Sequence, residues 1–598
     1  MTRRTSQTTL QVSEPPGHEE VRAQVDRILA SRIFSRSDRL NRFLRFSVEQ
    51  TLAGRGGQLK EQLIGVEVFD RKPDYDPRID PIVRVEARRL RTKLKAYYTS
   101  PGRGDCILVG LPKGTYVPVF RSRLTTPATL RSELKDTSGS ERSIVVLPFA
   151  NLTPDAGDDY FSDGLTEELI HLLTRIPGLR VVAWNTASQL RGRDQDLAGI
   201  RQQLKIGTVL CGSVRRTSTR VRVTAQLIDS ETGAYLWSEV YDRELQNVLA
   251  IQEEMAGAIV TTLQLKLPRQ AGAQSRKAPN LACYNLCLQG RFHANKRTLD
   301  GLRQSLDCFE QAAAADQSCA EAYAGLADGY SLLADHSFLA PLEAVVRARS
   351  AAERALQLDT GSAEAHVSLA FISALFDWQW AEAEPLYRKA IALNPGYSRA
   401  HHWFGVDFLA VLGRLDEALA EMRLARHLDP LSQIIRESCG HVHMLRREYS
   451  RALEEYRALI TLDPLFYKAY SSMGRVLNLM GRYDDAIAAL EKSRALNGDA
   501  PTILSALGQT LAQAGFVWEA RALLDQLHAT AKKQYVPLAC FAIVNLGLGD
   551  HEAVLGYLEA ACDKREMAVT ALRVHPMYDV LRSEPRFHRL LERINLLP

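Results

Sequence analysis

Six cationic side chains lie between residues 84 and 95. On a helix advancing about 100° per residue, Arg84, Arg88, Arg91 and Lys95 fall at i, i+4, i+7 and i+11 and form one stripe, with Arg89 and Lys93 flanking it. A guanidinium is a planar fork of donors that fits phosphate oxygens or the acceptor edge of guanine. Val85, beside Arg84, suits a thymine methyl. Lys113, in the turn Pro112-Lys113-Gly114, adds a cation nearby. The chemistry of this set is anion recognition. If four to six phosphates were neutralised, affinity would fall by roughly 0.9 log units per log unit of salt for each of them.

Other reactive residue types are sparse. Cys283 and Cys287 stand one helical turn apart, a spacing open to a metal, but two small apolar side chains on a packed helix face is the reading taken. His401, His402, His441 and His443 fall in mixed helical registers and are read as packing residues or solvated ones, so no metal is expected. Asp163, Gly164, Thr166 and Glu167 form a polar cluster that reads as helix capping at a strand–helix junction, with a small-ligand site at the helix N-terminus as the alternative. No nucleophile elbow, zinc motif, Walker loop or GxGxxG is present, so neither a cofactor nor an enzymatic activity is expected.

The elements that position the cationic stripe are legible. Asp80-Pro81 is a helix start, an acidic cap before a proline whose missing N–H costs nothing there. The helix runs to about Tyr98, with Val83, Leu90, Leu94 and Tyr97 sharing its apolar side. An amphipathic helix over 37–53 precedes it, carrying Leu40, Phe43, Leu44, Val48 and Leu52 on one face, and a short helix spans Lys60 to Phe69. Cys106 to Val109 and Tyr116 to Phe120 alternate like the strands of a hairpin. The order Lys60-Glu-Gln-Leu, Val83-Arg-Val-Glu-Ala-Arg-Arg-Leu-Arg-Thr-Lys-Leu94 and Gly114-Thr-Tyr resembles the OmpR-type winged helix-turn-helix DNA-binding domain. That resemblance implies double-stranded DNA as a partner. Arg84, Val85 and Arg88 would face base edges, Arg89 and Arg91 bases or phosphates, and Lys113 the wing; Lys93 and Lys95 belong to the same basic surface. The family's N-terminal sheet is replaced by a helix near Val21 to Ser31, and the wing reads Leu-Pro-Lys-Gly-Thr-Tyr.

Charge supports this division. Residues 1–120 carry 22 lysines and arginines against 14 acidic residues, a net +8, whereas the whole chain is +5 and the remainder therefore −3. Polar or Pro/Gly-rich stretches divide the chain into a disordered tail over 1–20, a winged-helix domain over 21–120, a linker over 121–142, an α/β domain over 143–267, a linker over 268–280 and a repeat domain over 281–598. Nine scattered cysteines without a paired CxxC pattern, the lack of a signal peptide and the absence of any ~18-residue apolar run lead to the expectation of a soluble cytoplasmic chain with no membrane partner.

The last domain repeats. The tripeptides Leu358-Asp-Thr, Leu393-Asn-Pro, Leu428-Asp-Pro, Leu462-Asp-Pro and Leu496-Asn-Gly recur at a spacing of 34 or 35, and Gly413, Arg447, Gly481, Gly515 and Gly549 recur every 34. Ala418, Ala452, Ala486 and Ala520 stand five places after the first four of these. A glycine ending one helix, an alanine allowing close approach of the next and a proline ending that one is similar to the tetratricopeptide repeat. The resemblance implies a superhelix whose groove takes a protein or peptide.

The middle domain reads β-α-β-α-β-β-β-α: a strand over Ser143 to Phe149, a helix from Asp163 to Arg175 capped by Ser162, a strand over Leu179 to Trp184 and a helix over Leu197 to Lys205. Strands over Thr208 to Arg216, Arg220 to Asp229 and Ala234 to Arg243 follow, then a helix near Leu245 to Leu265. The run from Val-Val-Leu-Pro-Phe through Phe161-Ser-Asp-Gly-Leu-Thr-Glu-Glu to Gly212-Ser-Val-Arg resembles the TolB-like domain. The fold class is thus multidomain: an α/β winged helix, a mixed α/β TolB-like domain and an all-α solenoid. The combined expectation is a bacterial transcriptional regulator that reads DNA with its first domain and senses a partner with the other two. A homodimer is consistent with paired half-sites, although no heptad supports one. The alternative is a protein-interaction scaffold whose basic head meets protein or RNA.

Overall fold

The structure, a computed structural model, describes residues 18–35, 37–72, 75–76, 80–99, 105, 107–111, 115–122, 142–153, 159–193, 196–217, 219–244, 248–263, 280–296, 298–335 and 338–597. It divides into two compact units, 1–137 and 138–598. The two turn and linker segments around Lys113 and 268–279, and most of the stretch 121–142, lie outside the described residues, as do residues 1–17 of the expected tail.

In the first unit, helices α1 (His18–Ala30), α2 (Asp38–Leu52), α3 (Glu61–Phe69) and α4 (Ile82–Thr99) precede two strands, β1 (Ile107–Gly110) and β2 (Val119–Ser122). The strands pair antiparallel, Ile107 opposite Ser122 and Gly110 opposite Val119. The apolar stripes expected on the helices make the core: Leu40, Phe43, Leu44 and Val48 from α2 and Val83, Leu90, Leu94 and Tyr97 from α4 are all buried, joined by Val21, Val25 and Ile28 of α1. At the start of α4, Asp80 accepts a hydrogen bond from the Ile82 amide at 3.1 Å, filling one of the helix's orphan donors.

The second unit opens with a six-stranded mixed sheet in the order β5-β3-β6-β7-β8. Its strands are β3 (Arg142–Val146), β4 (Ala150–Asn151), β5 (Leu179–Val181), β6 (Thr208–Arg216), β7 (Arg220–Asp229) and β8 (Tyr235–Glu244). β3 runs parallel to β5 and β6, β4 pairs parallel to β6 off the main path, and β6-β7-β8 is an antiparallel meander. The helices of this segment are α5 (Asp159–Thr174), α6 (Trp184–Ser188), α7 (Leu197–Leu204) and α8 (Val248–Thr262). Ser162 does not cap α5. The helix begins a turn earlier, and the Ser162 hydroxyl donates to the Asp159 carbonyl inside it. The expected strand end at Trp184 is instead the start of α6.

The repeat helices follow: α9 (Leu281–Ala294), α10 (Leu299–Ala315), α11 (Ala320–Asp335), α12 (Pro341–Leu358), α13 (Ala363–Leu375), α14 (Trp380–Leu393), α15 (Ser398–Trp403, continued by a π-helical turn over Phe404–Leu409) and α16 (Leu415–Leu428). Next come α17 (Gln433–Leu445), α18 (Tyr449–Leu462), α19 (Tyr467–Leu479), α20 (Tyr483–Asn497), α21 (Pro501–Gln513), α22 (Val517–Ala531), α23 (Leu538–Leu548) and α24 (His551–Asp563). Two 3-10 turns, Met567–Arg573 and Pro576–Leu581, and α25 (Pro585–Arg593) end the chain. The turn inside five of the later pairs is left-handed: Gly413, Arg447, Gly481, Gly515 and Gly549 have φ of +75°, +63°, +71°, +95° and +76°. Trp378, one repeat before Gly413, has φ +61° and makes the same turn. Ala418, Ala452, Ala486 and Ala520 are fully buried where the paired helices approach.

The middle segment and the repeats pack as one unit. Gly164 of α5 rests on Leu288 of α9, so closely that a β-carbon there would stand 2.7 Å from Leu288 Cδ2. The buried Asp429, from one of the helix-ending tripeptides, accepts hydrogen bonds from Asn185 (3.0 Å) and Thr186 (2.7 Å), while the Ala183 amide donates to the Leu428 carbonyl.

Candidate functional site

On α4 of the first unit, the cationic side chains divide. Arg84, Val85, Arg88 and Arg89 are exposed. Arg84 is paired with Glu61 of α3 at 2.9 Å and Arg89 with Glu86 at 2.8 Å, whereas Arg88 has no carboxylate partner among the described residues. Glu61 also accepts from the Tyr116 hydroxyl at 2.6 Å; burial pushes that carboxyl up, but Arg84 and Tyr116 outweigh it and hold it below the usual range. Arg91 is turned inward: its guanidinium donates to the carbonyls of Leu111 (3.0 Å) and Thr115 (2.9 Å), tying the helix to the segment between β1 and β2. Lys93 donates to the Ile33 carbonyl at 2.6 Å and to the Ser37 hydroxyl, which locks α4 to the α1–α2 connection. Lys95 lies in α4, and Lys113 falls outside the described residues.

In the second unit, the repeat period carries a surface. His441, Arg475, Gln509 and Ile543 are evenly spaced by one repeat period and occupy the same place in four successive repeats. Arg475, Gln509 and Ile543 line one cleft together with His575 and Met577. His441 meets the His575 ring at 6.3 Å between centroids. The first helices of these pairs therefore share one inner face, and the chain's own C-terminal segment lies on it. The same segment crosses the left-handed turns of earlier repeats. Trp380 donates from its indole to the Ile594 carbonyl at 2.9 Å, Asn595 donates to the Trp378 carbonyl, the Arg565 guanidinium covers the Trp378 ring at 3.9 Å, and Arg447 pairs with Asp579 at 2.6 Å. Burial drives His575 well below the usual imidazole range, with His441 and Arg475 adding to this and Asp579 opposing it.

One repeat earlier on the same register, before His441, is Asp407. Burial pushes its carboxyl well above the usual range, and the Asp335 carboxylate at the end of α11 adds to the effect. It sits in the π-helical turn, an irregularity that recurs at functional sites.

The polar cluster read as a capping site lies within α5, with Gly164 and Glu167 on the side of α9. Asp163 pairs with Arg191 at 2.5 Å, Asn295 donates to Glu167 at 3.1 Å, and Thr166 donates to the Ser162 carbonyl while accepting from the Phe149 amide. Asp163, Glu167, Arg191 and Lys296 border a cleft of about 250 Å³. Burial raises both carboxyls above their ordinary values. The four histidines are not gathered: His401 sits between Glu421 and the Pro395 carbonyl, His402 on Ser438 and His443 on Glu448. Cys283 and Cys287 are buried on α9, where Cys319 joins them. No helix among the described residues is long and apolar enough to cross a membrane.

Arg475, Gln509 and Ile543 form a set whose even spacing is visible in the sequence beside the glycine markers. Asp407 and Cys319 have no such local signal, because their neighbours come from other helix pairs.

The class this defines is a helical-repeat solenoid resembling the tetratricopeptide repeat, packed on a mixed sheet. No protein-family model matches the chain. It is 32% identical over 314 residues to "Putative adenylate cyclase 3" of Rhizobium meliloti, covering 51% of this chain and 46% of that protein. It is 25% identical over 135 residues to "Anaphase-promoting complex subunit 3" of Schizosaccharomyces pombe, covering 23% of this chain and 20% of that one. The chain thus spans less than half the length of either curated relative. Among solved structures, a tetratricopeptide repeat protein from Parabacteroides merdae superposes with a TM-score of 0.33 at 15% identity, covering 45% of this chain and 99% of that one.

Proposed function

We propose that this chain is a non-enzymatic protein-interaction scaffold whose repeat solenoid binds a cationic peptide segment. The observation that carries the reading is the register of the inner face: one position, recurring once per repeat, presents a continuous row of side chains over at least four repeats. Its C-terminal stretch is covered by residues 574–578. The preceding stretch carries Asp407, with the Asp335 carboxylate close enough to act on it; the raised carboxyl of Asp407 becomes easier to ionise beside a lysine or arginine. The curated relative's name concerns a protein more than twice the length matched here, and the scaffold reading carries no cyclase activity over to this chain. The test is binding of the full chain to an array of basic, neutral and acidic peptides. Basic peptides are expected to bind, and the Asp335→Asn/Asp407→Asn variant to lose them; binding that ignores peptide charge, or survives the variant, contradicts the reading.

A second reading is that the first unit binds DNA and the chain acts as a transcriptional regulator. What supports it is the exposed row Arg84, Val85, Arg88 and Arg89 on a helix followed by paired strands, together with the resemblance of that segment to OmpR-type domains. The TolB-like resemblance of the middle segment would then place sensing in the second unit. A salt series with genomic fragments, comparing the parent with Arg84→Ala/Arg88→Ala, tests this separately from the peptide array.

A further inference from the structure

Three thiols converge where the repeat array begins. Cys283 and Cys287 lie one turn apart on α9 and are buried; Cys319, immediately before α11, is half-buried. Their sulfur atoms all lie within 4.8 Å of one another, and those of Cys287 and Cys319 are 3.9 Å apart. This is far longer than a disulfide bond, and the eight described cysteines are all free. It is the spacing of sulfurs that share a metal: at a metal–sulfur bond of about 2.3 Å, thiolates stand roughly 3.8 Å apart around a tetrahedral centre and about 4.0 Å apart around a trigonal one. Among the described residues this is the one group of histidine, cysteine or acidic side chains that converges in this way.

We propose that Cys283, Cys287 and Cys319 bind one soft d10 cation, Cu(I) or Zn(II), through three thiolates. Thiolate sulfur selects such ions over hard ones. Cu(I) is satisfied by three sulfurs, whereas zinc takes a water as its fourth ligand, and the half-buried Cys319 leaves that position open to solvent. Binding displaces the thiol protons to solvent as the three sulfurs coordinate. The ion would fasten α9 to α11. Because α9 is also the helix on which α5 rests, it would stiffen the joint between the middle sheet and the solenoid.

The experiment uses the reduced, metal-free full chain. Cu(I) is titrated in competition with a chromophoric chelator, and Co(II) is titrated separately as the zinc probe, read by its sulfur-to-cobalt absorption. One equivalent of either ion, with proton release and a rise in Tm, is the expected result, and the arm that reaches one equivalent names the ion. Cys319→Ser should abolish the one-equivalent site, while Cys308→Ser, on α10 and outside the trio, should keep it. Circular dichroism checks that both variants fold. Alkylation of the parent chain gives a reading that needs no variant: the bound ion should shield Cys319 from iodoacetamide. Failure of both ions to bind at one equivalent, unchanged binding by a folded Cys319→Ser, or alkylation of Cys319 at the same rate with and without metal would each overturn the proposal.

Discussion

Along α4, neighbours rather than charge decide what each cation does. Arg88 faces solvent with no carboxylate beside it among the described residues, so Arg88→Ala should leave the Tm unchanged and, if the first unit binds DNA, lower the slope of log affinity against log salt by about one. Arg91→Ala should act the other way. Two backbone carbonyls, of Leu111 and Thr115, lose their donor, and thermal unfolding should report a loss of about 1–3 kcal/mol. The i, i+4, i+7 stripe was legible in the sequence because it depends only on helical pitch. That Arg91 and Lys93 turn inward was not, because their acceptors sit 20 to 60 positions away along the chain. A different residue effect follows from His575. Its Nδ1 accepts from the Met577 amide, so that nitrogen carries no proton, and both His575 and His441 are held below the ordinary range by burial. As pH falls through about 6.5 the unfolded chain takes up these protons and the folded chain does not. Stability therefore drops from pH 7 towards 5. Calorimetry across that window should show a falling Tm, with a shallower fall in His575→Asn; parallel slopes would contradict the assignment.

At the level of elements, the repeat turns rest on left-handed backbone. Gly481 has open space around its α-carbon and φ +71°, so Gly481→Ala isolates the backbone term and should cost about 1–2 kcal/mol, read by urea unfolding. A cost near zero would mean that the turn rearranges. The glycines made five of these turns visible in the sequence at Gly413, Gly481, Gly515, Gly549 and, through spacing alone, Arg447. Trp378 makes the same turn without a glycine. Its conformation is held by Arg565 over the ring and Asn595 on the carbonyl, both far downstream near the C-terminus, and no local signal announces them. Capping rules misplaced the start of α5 for a related reason: Ser162 is a good cap by type, but Asp159 already supplies an acidic residue in the first turn. The three consecutive strands β6 to β8 were legible nearly residue by residue, since their alternation and the Asp229–Gly233 turn are local features.

Across the whole molecule, what the sequence presents as separate middle and repeat domains is in the structure one unit. Asp429, fully buried between α16 and α17, holds Asn185 and Thr186 of α6. Asp429→Ala leaves those donors unpaired and should lower the stability of the 138–598 unit by about 1–3 kcal/mol, seen as a downward shift of its calorimetric transition while that of the first unit stays in place. A linker rich in Pro, Gly and Ser suggested independence, but the interface is built by side chains 243 and 244 positions apart, which composition cannot reveal. The same is true of the C-terminal segment lying on the inner face. The scaffold account is tested most directly by crosslinking the full, unsubstituted chain to a basic peptide that itself carries the photoreactive group, and mapping the crosslinked positions. The account predicts crosslinks around Asp407, on the inner face, competed by unlabelled basic peptide, and none around the exposed Glu454 of α18. Equal crosslinking around both, or none around Asp407, would contradict it.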